Sequence, residues 1–117
     1  MILVDTSVWI DHLRSADRQL TDLLMEEQVL AHPFVVGELA CGALTRRAEI
    51  LSLLRSLPHA PVVEHEEVLH FIDAQALSGG GLGWVDVHLL ASVSLAGGRL
   101  WSKDRRLAQT ARRLGVA

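Results

Sequence analysis

Four carboxylates in this sequence stand where simple folding rules do not ask for them. Asp5 stops a short apolar run, Ile2-Leu3-Val4, and is followed by two hydroxyl residues, Thr6 and Ser7. Glu38 interrupts a segment that is otherwise apolar on nearly every side, among Val35, Val36, Leu39, Ala40 and Cys41. An ionised glutamate there is expensive to bury unless something pairs with it. Asp86 and Asp104 fall at the starts of two helical patterns. Three of the four have a structural explanation. Asp5, Thr6 or Ser7 could cap the helix that begins at Val8, Asp104 could cap the last helix, and Asp86 in a first turn suits the helix dipole. Glu38, mid-helix, has no such explanation. Four carboxylates brought together without a cation would repel one another and force protons onto some of them. A hard divalent cation with oxygen ligands removes that conflict. Mg²⁺ or Mn²⁺ held by Asp and Glu, with waters left on it, is the apparatus of phosphodiester hydrolysis.

The elements that must position these acids can be read in order. Ile2-Leu3-Val4 is a buried strand, followed by a helix from Val8 through Leu13 and a loop, Ser15–Asp17, that holds a capping residue. Leu20, Leu23 and Leu24 form one face of a helix ending near Gln28, and Val29-Leu30-Ala31 is a second strand. His32-Pro33 opens a helix that continues through Leu44, since proline suits the first helical position. Residues 46–57 and 66–77 read as amphipathic helices, with Pro61-Val62-Val63 between them as a third short strand. Ser78–Gly83 is a glycine-rich loop. A helix follows from Trp84 to Gly97-Gly98, then a strand at Leu100-Trp101, then a helix from Asp104 through Arg113. The alternation predicts one α/β domain over residues 1–117, a parallel sheet of four to five short strands sandwiched between helices. The strand-terminal acids then share the C-terminal edge of the sheet, where ligands bind in such folds.

Bulk properties narrow the function classes. Half of the 117 residues are hydrophobic and the mean hydropathy is +0.27, so much apolar surface must be buried or covered by a partner. Charged residues punctuate every apolar stretch, so no membrane span is expected, and no basic segment precedes the first apolar run, so neither is a secretory signal. Cys41 is the single cysteine, which rules out an intrachain disulfide and fits a reducing cytoplasm. The net charge of −3 argues against holding nucleic acid by bulk charge, yet residues 99–117 carry six cations against one acid. A basic stripe beside an acidic region suits a phosphate-bearing substrate brought to a metal site. Cations near a helix C-terminus are also ordinary in a solvated face.

Four segments carry a resemblance. Val4-Asp-Thr-Ser-Val-Trp-Ile-Asp11, Val36-Gly-Glu-Leu39, Gly83-Trp-Val-Asp-Val-His-Leu-Leu90 and Leu100-Trp-Ser-Lys-Asp-Arg-Arg-Leu107 resemble, in order and spacing, the four motifs of PIN-domain ribonucleases, most closely the VapC toxins of toxin–antitoxin pairs. The resemblance spans essentially the whole chain. It implies a PIN-like three-layer α/β/α fold and a metal-dependent endoribonuclease in which Asp5, Glu38, Asp86 and Asp104 bind Mg²⁺ or Mn²⁺. It further implies that Ser7 supports the site by hydrogen bonding. Relatives commonly carry threonine at the position of Ser102, and the hydroxyl is kept. The expected chemistry is in-line hydrolysis by a metal-activated water, leaving a 5′-phosphate and a 3′-hydroxyl. Ser102, Lys103, Arg105 and Arg106 are candidate substrate contacts. A homodimer, a VapB-type antitoxin and a larger assembly of the two are the implied partners. The alternative is a catalytically inactive PIN-like module that binds RNA or protein.

Other signals are weaker. His65 and His70 lie five residues apart, which on a helix puts them on different faces rather than into a zinc-protease pair. His88, two residues past Asp86, points away from it. Trp9, Trp84 and Trp101 are expected in the core, and Cys41 is expected to be a buried thiol. Leu3-Val-Asp-Thr-Ser7 also resembles the active-site turn of a dimeric aspartic protease, but those chains are almost wholly β. A phosphoacceptor receiver domain would need an aspartate at a mid-chain strand end, and residues 46–63 contain only Glu49.

Overall fold

The central strand is built from the chain's first residues. β1 (Ile2–Val4) lies between β2 (Val29–Leu30) and β3 (Arg99–Trp101), and both pairings are parallel in the computed structural model, which describes residues 1–117. The register sets Leu3 opposite Leu30 on one side and Leu100 on the other. Leu3 and Val4 are fully buried, as a strand covered on both faces requires.

Seven helices complete the three-layer α/β/α fold: α1 (Thr6–Arg14), α2 (Arg18–Met25), α3 (Pro33–Cys41), α4 (Arg47–Ser56), α5 (His65–Ala74), α6 (Trp84–Ala96) and α7 (Arg105–Arg113). α6 buries an unbroken run from Val87 to Val93 and is the internal helix of the domain. No helix is long and apolar enough to cross a membrane. Burying a leucine such as Leu89 or Leu90 contributes about 1.5–3 kcal/mol. Gly98 is required where α6 turns into β3, because a Cβ there would stand 2.9 Å from the Met1 carbonyl oxygen.

Three strands form rather than the four or five expected. Pro61-Val62-Val63 is not a strand, and the fourth pairing shrinks to a single bridge between Ala31 and His59. Proline explains the loss, since Pro58 and Pro61 flank the bridge and neither can donate to a ladder. The amides of Ala31 and Ala60 still bond across that edge, to Pro58 O and Ala31 O, both at 2.8 Å. On the opposite edge Leu100 donates to Val116 O at 2.6 Å, so neither outer strand is left bare. α3 ends at Cys41, three residues earlier than expected, because Gly42 follows in an extended conformation.

Two burial expectations are corrected. Glu38 is exposed, because α3 lies at the rim of the core and buries only Val35 and Leu39. Cys41, at the end of the same helix, is exposed as well. Of the tryptophans, Trp9 is buried, Trp101 is half-buried and Trp84 is exposed.

Candidate active site

β1 lies at the switch point of the sheet: the chain leaves it first toward β2 and later returns to β3 on the other side. The crevice beyond those strand ends is the expected ligand site. Asp5 follows β1, and its amide donates to Trp101 O at 2.9 Å, which ties the ends of β1 and β3 together. Asp5 occupies the position that caps α1, yet its carboxylate makes no capping bond. It turns instead to the hydroxyls of Ser7 and Ser102 and is 6 % exposed.

Asp5 Oδ2 accepts from the hydroxyls of Ser7, at 2.8 Å, and Ser102, at 2.7 Å. Each serine is oriented in turn by an amide. Lys103 N–H donates to Ser7 Oγ at 2.9 Å, and Asp104 N–H donates to Ser102 Oγ at 3.0 Å. Both hydroxyl protons are therefore committed to Asp5, and the 3.3 Å approach of the two serine oxygens is a contact rather than a hydrogen bond. Charge-assisted bonds of this kind are roughly twice as strong as neutral ones, so they fix the carboxylate firmly.

The other three acids are each anchored through one oxygen. Asp86 Oδ2 accepts from Gly83 N–H at 2.9 Å, which closes the first turn of α6. Asp104 Oδ1 caps α7 by accepting from Leu107 N–H at 3.0 Å. Glu38 Oε1 accepts from the Thr6 hydroxyl at 2.7 Å, which joins α3 to the start of α1. Burial raises the Asp86 carboxyl above its ordinary value against the lowering effect of the Gly83 amide, and the charges of Asp5 and Asp104 raise it further. Asp86 thus lies within the electrostatic field of both Asp5 and Asp104. Glu38 is tied by Thr6 to the residue that follows Asp5.

The acids have no cation of their own. None of the four forms an ion pair, since the three salt bridges are Arg46–Glu49, Lys103–Asp11 and Lys103–Asp17. Asp5 Oδ1, Glu38 Oε2, Asp86 Oδ1 and Asp104 Oδ2 accept nothing from the protein, and Glu38 and Asp104 are exposed residues. As placed, no three acids form a group that could hold a metal ion alone. A divalent cation there would need water or substrate oxygens to complete its shell. The donor set is all hard oxygen, and its excess negative charge is the condition a divalent cation relieves.

The remaining candidates separate. Ser102 has both its donor and its acceptor engaged inside the site. The Lys103 ammonium is held by Asp11 at 3.0 Å and Asp17 at 3.6 Å. Arg105 and Arg106 are exposed without acidic partners. Arg106 lies across the glycine loop, where a Cβ on Gly81 would run into its guanidinium. His88 is buried against Phe34 and Trp84, with ring centroids 4.7 and 4.6 Å away, and takes no part in the site. A groove of about 780 Å³ runs beside Glu38 between α1, α3 and α4, with Arg14 and Arg46 on its walls.

The comparisons with known proteins agree with this geometry. The PIN domain family model matches residues 2–113. The chain is 51 % identical over 118 residues to Ribonuclease VapC32 of Mycobacterium tuberculosis, from both strain CDC 1551 / Oshkosh and strain ATCC 25618 / H37Rv. Those matches cover all of this chain and 95 % of each relative. The chain belongs to the PIN domain family and, within it, to the VapC-type ribonucleases.

Proposed function

We propose that this protein is the toxin of a type II toxin–antitoxin pair and acts in the cytoplasm as a Mg²⁺- or Mn²⁺-dependent endoribonuclease. The observation that carries the reading is Asp5. It is a buried carboxylate at the sheet's C-terminal edge that forgoes its helix cap, is fixed by two hydroxyls, acts on the charge of Asp86 and forms no ion pair. A fold keeps such a cost where function needs it.

Asp5, Asp86 and Asp104 hold the metal through their free oxygens, directly or through water, and Glu38 completes the acidic wall. A bound divalent cation orients the scissile phosphate, acidifies a water and neutralises the leaving oxygen. The chain supplies the rest. Ser7 and Ser102 keep Asp5 from rotating toward the α1 amides. Arg105 and Arg106 are the unpaired cations nearest the site in sequence, and they meet the RNA backbone. Since the attacking oxygen comes from water, cleavage does not use the RNA 2′-hydroxyl. A substrate with a single 2′-deoxy substitution at the cut site is therefore still cleaved.

The exposed apolar side chains Met25, Leu53, Val62 and Leu95 support burial against a second copy and against a VapB-type antitoxin, in a dimer or a larger assembly. Sedimentation at micromolar concentration tests the dimer, and a monomer there contradicts it.

The deciding experiment incubates labelled total RNA with the full chain in Mg²⁺, in Mn²⁺ and in chelator, beside Asp5→Asn. Cleavage by the wild type in metal alone is the expected result. Equal cleavage in every lane refutes the metal mechanism. Cleavage in none leaves a catalytically inactive PIN-like binding module.

A further inference from the structure

Lys103 sits between two residues of the site, Ser102 and Asp104, on the turn from β3 to α7. Three observations set it apart. Its backbone N–H donates to Ser7 Oγ at 2.9 Å, across 96 positions of sequence. Its ammonium reaches Asp11 Oδ2 on α1 at 3.0 Å and Asp17 Oδ2 at the start of α2 at 3.6 Å. Asp17 is itself fixed, because its Oδ1 accepts from Leu20 N–H at 3.0 Å and its amide donates to His12 Nδ1 at 3.0 Å.

We propose that Lys103 is a positioning residue, a clip that fastens the Ser102–Asp104 turn to α1, rather than a cation for the substrate phosphate. This rests on the functional reading above. The two attachments act on different atoms of one residue. The ammonium fixes the turn laterally against α1, and the amide fixes Ser7, which in turn fixes Asp5. Asp104 can share a cation with Asp5 only while β3–α7 stays registered on β1–α1, and that register has few other side-chain links. Ser102 supplies one, through Asp5. With two carboxylates around it, the ammonium has no net charge left to offer RNA, and Arg105 and Arg106 keep theirs.

The test uses the full-length chain with Lys103→Met, Lys103→Arg and the double variant Asp11→Ala/Asp17→Asn, in which asparagine retains the α2 cap. Amide hydrogen exchange, read without metal or RNA, reports the clip directly. The amides of residues 103 and 104 should exchange about fivefold faster in Lys103→Met and in the double variant, a change within reach of an exposed ion-pair network. Lys103→Arg should restore them. Half-saturation by Mn²⁺ should rise by a similar factor in the same two variants. RNA affinity and its salt slope, measured for Lys103→Met in an Asp5→Asn background, should not change.

Undisturbed amides with a salt slope lower by about one, the signature of a lost phosphate contact, would overturn the clip. If the wild type takes up no Mn²⁺, the functional reading has failed, and the amide exchange alone still decides whether Lys103 clips the turn.

Discussion

Asp5→Asn separates the structural role of the site's acids from their cation-binding role. Asparagine keeps the side-chain shape, and its oxygen can still accept from Ser7 and Ser102. Two terms then oppose each other in metal-free protein. Replacing charge-assisted bonds by neutral ones costs about 1 kcal/mol for each of the two hydroxyls. Removing the charge relieves repulsion from Asp86 and Asp104. Each such repulsion is on the order of 1–2 kcal/mol for partly solvated carboxylates, less after screening by salt. The terms nearly cancel, so the melting temperature in chelator should move by no more than about 3 °C.

Metal exposes the difference. A ligand at 100 times its dissociation constant stabilises the native state by about 2.7 kcal/mol. For a chain of this size that is a shift of about 10 °C. If losing Asp5 weakens the site a hundredfold, the same Mn²⁺ concentration stabilises by only about 0.4 kcal/mol, or 1–2 °C. Differential scanning fluorimetry with and without Mn²⁺ reads both numbers. Equal metal shifts in the two proteins would refute the assignment of Asp5 as a ligand. A melting temperature lowered by 10 °C or more in chelator would show that Asp5 is structural.

Three further outcomes follow from particular contacts. His32 accepts from Phe34 N–H through Nδ1, so its proton is on Nε2 and faces Ser92 Oγ at 3.1 Å. Burial, then the charges of His88 and His59, lowers its pKa from 6.5 to about 4, so the fold favours the neutral ring. Its contribution is complete above pH 6.5 and declines as pH falls toward 4, by about 3 kcal/mol in all. Urea unfolding across that range should show the decline, and His32→Asn, which can still accept from the Phe34 amide, should flatten it. Ser102→Ala removes one of the two donors to Asp5 and should lower kcat by tenfold or more with KM little changed, while Ser102→Thr retains activity. Gly81→Ala combines φ of +79° with a collision against Arg106, so it should cost about 1 kcal/mol or more in stability and raise KM for RNA.

Much of the fold was legible because local signals agreed. Ile2-Leu3-Val4 followed by Asp5 marked a buried strand and where it stops, and Pro33, Gly97 and Asp104 marked helix boundaries that the structure keeps. Pro61–Val63 misled because β-branched content says nothing about whether a partner edge is free to pair. Glu38 and Cys41 were misplaced for one reason. A helix apolar on all sides reads as buried, yet α3 lies at the rim, and only tertiary packing decides which of its faces meets solvent. Within the site, the types and order of the four acids were readable. Their partners were not. Lys103 meets Asp11 across 92 residues and Ser102 meets Asp5 across 97, and no local pattern encodes such pairs. Even Asp104, for which capping and ligation competed as explanations, has one oxygen on the Leu107 amide and the other free, so capping does not exclude ligation.

Anomalous scattering at the manganese edge, from crystals of the full chain soaked in Mn²⁺, tests the cation site most directly. A peak in bonding range of Asp5 Oδ1, shared with Asp86 or Asp104 and absent in crystals of Asp5→Asn, is the predicted result. A crevice without a peak at saturating Mn²⁺, or a peak that survives the loss of the Asp5 carboxylate, would contradict it.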